Sequence, residues 1–270
     1  MAKTYLVSNQ CFFGYVVMWV RFCLVLLSSV LTNSHAASKQ QVLLLTYHLK
    51  APYVIDWGEQ RGLYFDLAVY LNHKTDSYQF TTELMPRKRL DVLLAGPFTD
   101  VVIGVQPGWF KPLADKMVFT APFLHDKDMF VSDARKPVRD KDLADLTGKI
   151  FIGSQGYKYQ GIDEAVAAGT IQRVDTLQED YVLDMLRLGR GDFTIISSST
   201  LSYKFSHGEH ARHFHVATTP HDVIQRRFML SKTDPQLYQF LQQVIRQMPE
   251  DQEWQLLLDK YQIQQAKVNP

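Results

Sequence analysis

Gly148-Lys-Ile-Phe-Ile-Gly-Ser-Gln-Gly-Tyr-Lys158, with Asp192-Phe-Thr-Ile-Ile-Ser197 further along, is the stretch whose reading decides the fold. Each contains a short apolar run with glycine beside it, the pattern of a buried strand. Between them, Thr176-Leu-Gln-Glu179 has the spacing of a capping box and opens a helix predicted over Leu177 to Leu188, with Gly189 to close it. Strand, helix, strand implies a parallel pair, and the carboxyl ends of such strands form a crevice where small ligands settle.

The same alternation precedes this unit. Val42 to Tyr47 reads as a buried strand broken by Ala51-Pro52-Tyr53, and Gly62 to His73 places Leu63, Leu67, Tyr70 and Leu71 at helical spacing. Thr81 to Leu84 is weakly strand-like, Leu90 to Leu94 helical, and Asp100-Val-Val-Ile-Gly104 a second buried strand. Gln106 to Phe123 reads as loop crossed by an extended piece at Met117 to Thr120, Asp128 to Val131 is extended, and Asp133 to Asp145 is charged connecting chain. Asp234-Pro235 starts a helix with Leu237, Phe240, Leu241, Val244, Ile245 and Met248 on one stripe; Trp254, Leu257, Leu258 and Tyr261 form another. There is no internal repeat and no low-complexity tract.

The first 36 residues contain Lys3 and Arg21, no acidic residue, an apolar run from Phe22 to Leu31, and small residues at Ser34 and Ala36. This is the layout of a cleaved secretory signal over 1–36, with Met18 an alternative start. Arg21 interrupts the longer apolar stretch that a retained membrane anchor requires. Cys11 and Cys23 both fall inside the leader, so the mature chain is expected to have no thiol or disulfide. With 29 basic and 28 acidic residues the chain is nearly neutral, which argues against nucleic-acid binding.

Several pieces in order resemble the family-3 extracellular solute-binding proteins, the periplasmic receptors of polar amino-acid ABC importers. They are the opening strand with Ala51-Pro52-Tyr53, Gly62-Leu-Tyr-Phe-Asp66-Leu-Ala68, Asp100 to Gly104 and Phe119-Thr-Ala-Pro-Phe123. Asp145-Leu-Thr-Gly-Lys149, Gly156, Leu186 to Asp192 and Phe228 to Pro235 continue the set. The resemblance implies an α/β, two-lobed type II periplasmic binding protein fold with two crossover hinge strands near 128–132 and 226–230. Lobe one would comprise 41–128 and 228–270, and lobe two 129–227. A small-molecule ligand would be held in the interlobe cleft of a monomer, with no cofactor and no catalysis, for delivery to an inner-membrane ABC permease. A sensing module for a membrane signalling partner, and a dehydratase-like enzyme on the same fold, are the alternatives.

The resemblance departs at the ligand positions. The arginine that grips an amino acid's carboxylate in the family has no counterpart in Gln106 to Pro112, where only Lys111 is basic. Gly156-Tyr157-Lys158 stands in place of Gly-Thr-Thr, and Ser197 in place of the ammonium-binding aspartate. A polar or anionic solute other than a standard α-amino acid is therefore expected. The expected ligand-binding residues are Tyr47, Tyr53, Trp109, Phe123 and Tyr157 as ring walls, Lys111 and Lys158 as charges, and Ser197 as a hydrogen-bonding group. Arg87, Arg89 and Ser198 are further candidates, the arginines better explained as a solvated helix face. His207, His210, His213, His215 and His221 crowd together beside Glu209, but no zinc motif is present, and surface histidines are the expectation.

Overall fold

The computed structural model describes residue 1 and residues 38–140, 144–177 and 179–263. The expected leader, Met1 apart, lies outside the described residues.

The described residues from Gln40 to Ile263 form one compact unit. Its first part runs β1 (Gln40–Thr46), α1 (Leu63–His73), β2 (Tyr78–Leu84), α2 (Arg87–Ala95), β3 (Val101–Val105), a 3-10 turn at Pro107–Leu113, and β4 (Met117–Phe119). β1 pairs in parallel with both β2 and β3, and covered on both sides it reads as the continuous run Val-Leu-Leu-Leu rather than as an alternation. β5 (Leu124–Asp133) then leads into the second part: β6 (Ile150–Ser154), α3 (Ile162–Ala167), β7 (Gln172–Thr176), α4 (Val182–Arg187), β8 (Phe193–Ser197) and α5 (Ser198–Ser206). β9 (Phe214–Ser231) returns, and α6 (Pro235–Gln247) and α7 (Gln252–Lys260) follow it.

The strand order is β2-β1-β3-β9-β5-β8-β6-β7, with β4 also on β9. β9 is the shared element. Its C-terminal end pairs with β3, Ile103 opposite Phe228, while the rest pairs with β5 from Leu124 opposite Arg226 to Asp133 opposite Phe214. β5 and β9 thus carry the chain between two lobes, and the bulge where Met129 faces Pro220 lies just inside the second.

Each lobe has its own core. In the first, α6 is capped by Asp234, which accepts from Leu237 N, and buries Leu237, Leu241, Val244 and Ile245. They meet Trp254 from α7 and the rings of Tyr70, Phe80 and Phe228. In the second, Phe151 and Phe193 pack together with Phe130 and Tyr159, while Ile152, Val182, Leu186 and Leu201 form a second cluster.

Around Thr176 the structure departs from the expected capping box. Thr176 ends β7, Glu179 enters a 3-10 turn and α4 begins only at Val182. The Glu179 carboxylate meets Lys50 of the other lobe at 3.0 Å. Pro107–Leu113, expected as loop, is a 3-10 turn, and α5 is a helix that the serine-rich sequence did not announce. Among the described residues no helix is long and apolar enough to cross a membrane.

Candidate functional site

The segment between β1 and α1 reaches across to the second lobe. Thr200 Oγ1, in α5, donates to the Ala51 carbonyl at 2.7 Å, and the hydroxyls of Tyr53 and Ser199 lie 2.6 Å apart. Lys50 Nζ lies 3.0 Å from Glu179 Oε1, with both side chains only 7% exposed. The Tyr157 hydroxyl stands 3.5 Å from His48 Nδ1. These contacts join the lobes along one seam.

Beneath the seam, on the hinge strands, sits Arg226, 1% exposed. Its Nη2 donates to Asp126 Oδ2 at 3.1 Å, its Nε to the Tyr53 hydroxyl at 2.7 Å and its Nη1 to the Gly104 carbonyl at 3.3 Å. Asp126 also accepts from Tyr53, from the hydroxyls of Ser198 and Ser199, and from the amides of Lys127 and Ser199. Burial alone would raise the Asp126 pKa, but Arg226 and these hydroxyl donors outweigh it and hold it at about 2. Tyr64 completes the floor, and burial pushes its phenol up to about 12. Gly104 makes room for that ring: a Cβ there would lie 1.8 Å from the Tyr64 hydroxyl, and its φ of +73° suits glycine.

Above Arg226 the rings gather on His48. Tyr47 lies 4.2 Å from it between centroids, Trp109 5.7 Å and Tyr157 6.1 Å. Burial, with the charges of Arg226, Lys50 and Arg87 added to it, holds the His48 pKa well below its usual value, so the imidazole is neutral. Its Nε2 has no hydrogen-bond partner, and neither do the Tyr64 hydroxyl and Glu179 Oε2. Asp128, half-buried on β5 opposite Ser197, has its pKa raised by burial and by Asp126 and Glu179, against the pull of Lys50 and Arg226.

Of the residues expected at the site, Tyr47, Tyr53, Trp109 and Tyr157 come together here. Lys111 and Lys158 are exposed. Phe123 is a core residue, 3% exposed and stacked on Phe228 at 4.7 Å, so it is not a cleft wall. Ser197 is buried, with its hydroxyl 2.8 Å from Thr200 Oγ1 inside the turn that starts α5. Arg87 lies over Phe110 at 4.3 Å and pairs with Asp91, Arg89 is exposed, and Ser198 binds Asp126. Arg226, Asp126, Asp128, His48, Lys50 and Glu179 were not anticipated. The alternation Asp126-Lys-Asp128 in a strand, which puts both carboxylates on one face, was the available signal. Among the described residues no group of three or more histidines, cysteines or acids is placed to hold a metal.

No family model matches the chain, and no curated protein matches it. Solved structures do. A putative L-cystine ABC transporter from Listeria monocytogenes superposes with a TM-score of 0.65 at 17% identity, over 82% of this chain and 95% of that one. A mutant of ArgBP from T. maritima gives 0.63 at 17%, over 82% and 94%. The ancestral amino acid-binding protein AncCDT-1, a precursor of cyclohexadienyl dehydratase, gives 0.62 at 18%, over 82% and 95%. At such identities the likeness establishes the fold, that of a type II periplasmic binding protein.

Proposed function

Starting from a fold shared with substrate-binding proteins of amino-acid ABC transporters, we propose that this chain is a solute-binding protein. It captures a small polar solute between its lobes, outside the cytoplasm, and hands it without turnover to the permease of an ABC importer. The observation that carries this reading is the seam itself. Lys50 with Glu179, Tyr53 with Ser199 and Thr200 with Ala51 bridge the two lobes that β5 and β9 connect. At that seam His48 Nε2 and Glu179 Oε2 are buried without protein partners, a cost that a ligand or a water bound there relieves. A solute touching both lobes would favour the closed form by its differential contacts.

The ligand is not a standard α-amino acid. Arg226 does bring a guanidinium to the end of β3, but its charge is matched by Asp126 rather than left for a carboxylate. Lys50 is likewise held by Glu179. An anionic solute therefore has less support than a neutral or cationic one.

Thermal unfolding against amino acids, dicarboxylates, amines, aromatic acids and short peptides tests the proposal. A true ligand at about a hundred times its dissociation constant adds roughly 2.7 kcal/mol, a clear melting shift. Micromolar binding of glutamine, arginine or glutamate in a calorimeter would remove the exclusion of α-amino acids.

A further inference from the structure

Lys50 places an ammonium group at the seam, against a carboxylate and beside an aromatic ring. Its Nζ meets Glu179 Oε1 at 3.0 Å and lies 5.9 Å from the centre of the Tyr157 ring contributed by the opposite lobe. Only one oxygen of Glu179 is used; Oε2 is buried and unpartnered. The Asp128 carboxylate, on a residue whose backbone pairs with Ser197 and Asp222, makes no side-chain hydrogen bond or ion pair among the described residues, although Lys50, Arg226 and Glu179 all act on it. Three carboxylates, Asp126, Asp128 and Glu179, thus face two cations, and each cation already has its carboxylate. His48 adds a neutral ring with an unpartnered nitrogen.

An entering carboxylate would find two acids and no uncommitted cation at the seam. An entering ammonium would find the Asp128 carboxylate, a free oxygen of Glu179 and the face of Tyr157. Each of these favours positive charge, and three donors on one nitrogen can use several of them together. We propose that the seam is a binding site for a small organic cation with a primary ammonium group. Lys50 marks where that group sits and competes with it for Glu179. This assignment rests on the receptor reading above and narrows its ligand.

The test is calorimetric titration of the full chain with n-butylammonium, cadaverine and agmatine, and in parallel with glutarate and glutamine. The variants are Lys50→Met, Glu179→Gln and Asp128→Asn, each checked for folding by circular dichroism. At least one amine should bind the unaltered chain. Lys50→Met should tighten that amine, because the tethered competitor is gone and the methionine stem still fills its track. Glu179→Gln should weaken it about tenfold or more, as loss of a hydrogen bond to a charged group does. If Glu179→Gln does not fold, Asp128→Asn, which leaves the Lys50 pair intact, should show the same weakening. Amines that bind neither the unaltered chain nor Lys50→Met, or that bind with no response to Glu179→Gln and Asp128→Asn, overturn the proposal. Glutarate or glutamine binding where amines do not also overturns it, and leaves the receptor reading standing. Silence from every compound overturns it too, while the receptor reading is then decided by whether the lobes move.

Discussion

Arg226 Nη2 and Asp126 Oδ2 lie 3.1 Å apart, on the two strands that carry the chain between the lobes, and both side chains are almost wholly buried. Neither group can be removed alone without leaving the other as an uncompensated charge, which costs about 3–5 kcal/mol. Arg226→Met and Asp126→Asn should each lower the denaturation midpoint strongly. The double variant should recover part of the loss, and a fully additive double would show that the two groups act independently.

Acid stability should carry the signature of the same carboxylate. The folded pKa of Asp126, about 2, lies below its ordinary 3.8, so it contributes stability above pH 3.8 that is lost as the pH falls towards 2. His48 acts at milder acidity. Above its ordinary 6.5 the ring is neutral folded or unfolded; below, only the unfolded chain takes up the proton, so stability falls from there downward. Urea titrations across pH should show both slopes, with His48→Asn flattening the upper one and Asp126→Asn the lower.

Lys50 and Glu179 connect the lobes directly, so their pairing bears on closure. Labels at Leu49→Cys and Tyr181→Cys, two exposed positions beside the pair, report the separation of the lobes. Replacing Lys50 by Met leaves the Glu179 carboxylate unmatched in the closed form. The distance distribution should shift to wider values, and an unchanged distribution would mean that this ion pair does not hold the seam.

Gly104 tests the packing around Tyr64 beneath the seam. An alanine Cβ would meet the Tyr64 hydroxyl at 1.8 Å and its Cζ at 2.7 Å, at a φ of +73°. Overpacking of this kind costs about 1–3 kcal/mol before backbone strain is added. Gly104→Ala should be clearly destabilised in chemical denaturation, with Tyr64→Phe relieving only part of the effect, because the ring carbon stays in the way.

The sequence made the architecture readable because buried parallel strands leave continuous apolar runs. Val42 to Leu45, Val101 to Ile103 and Phe151 with Ile152 could be placed without tertiary knowledge. The charges of the site could not. Arg226 and Asp126 are a hundred residues apart and meet only through the register of β5 and β9. Glu179 was legible only as the local partner of Thr176 in a capping box, whereas its real partner, Lys50, belongs to the other lobe. Tyr47, Tyr53, Trp109 and Tyr157 were named only as aromatic candidates, and the structure brings their rings near His48 and Arg226. Phe123 was named on the same ground, yet it turns into the core beside Phe228 and Trp254.

The most direct test of the central claim is the distance between labels at Leu49→Cys and Tyr181→Cys, in the full chain with Cys11 and Cys23 replaced by serine. It should be measured by pulsed electron resonance with and without whichever solute raises the melting temperature. A capturing cleft predicts a wide and a narrow population, the narrow one growing to dominance when that solute is added. One fixed distance, the same with every solute and in Lys50→Met, would show a rigid body and contradict the account.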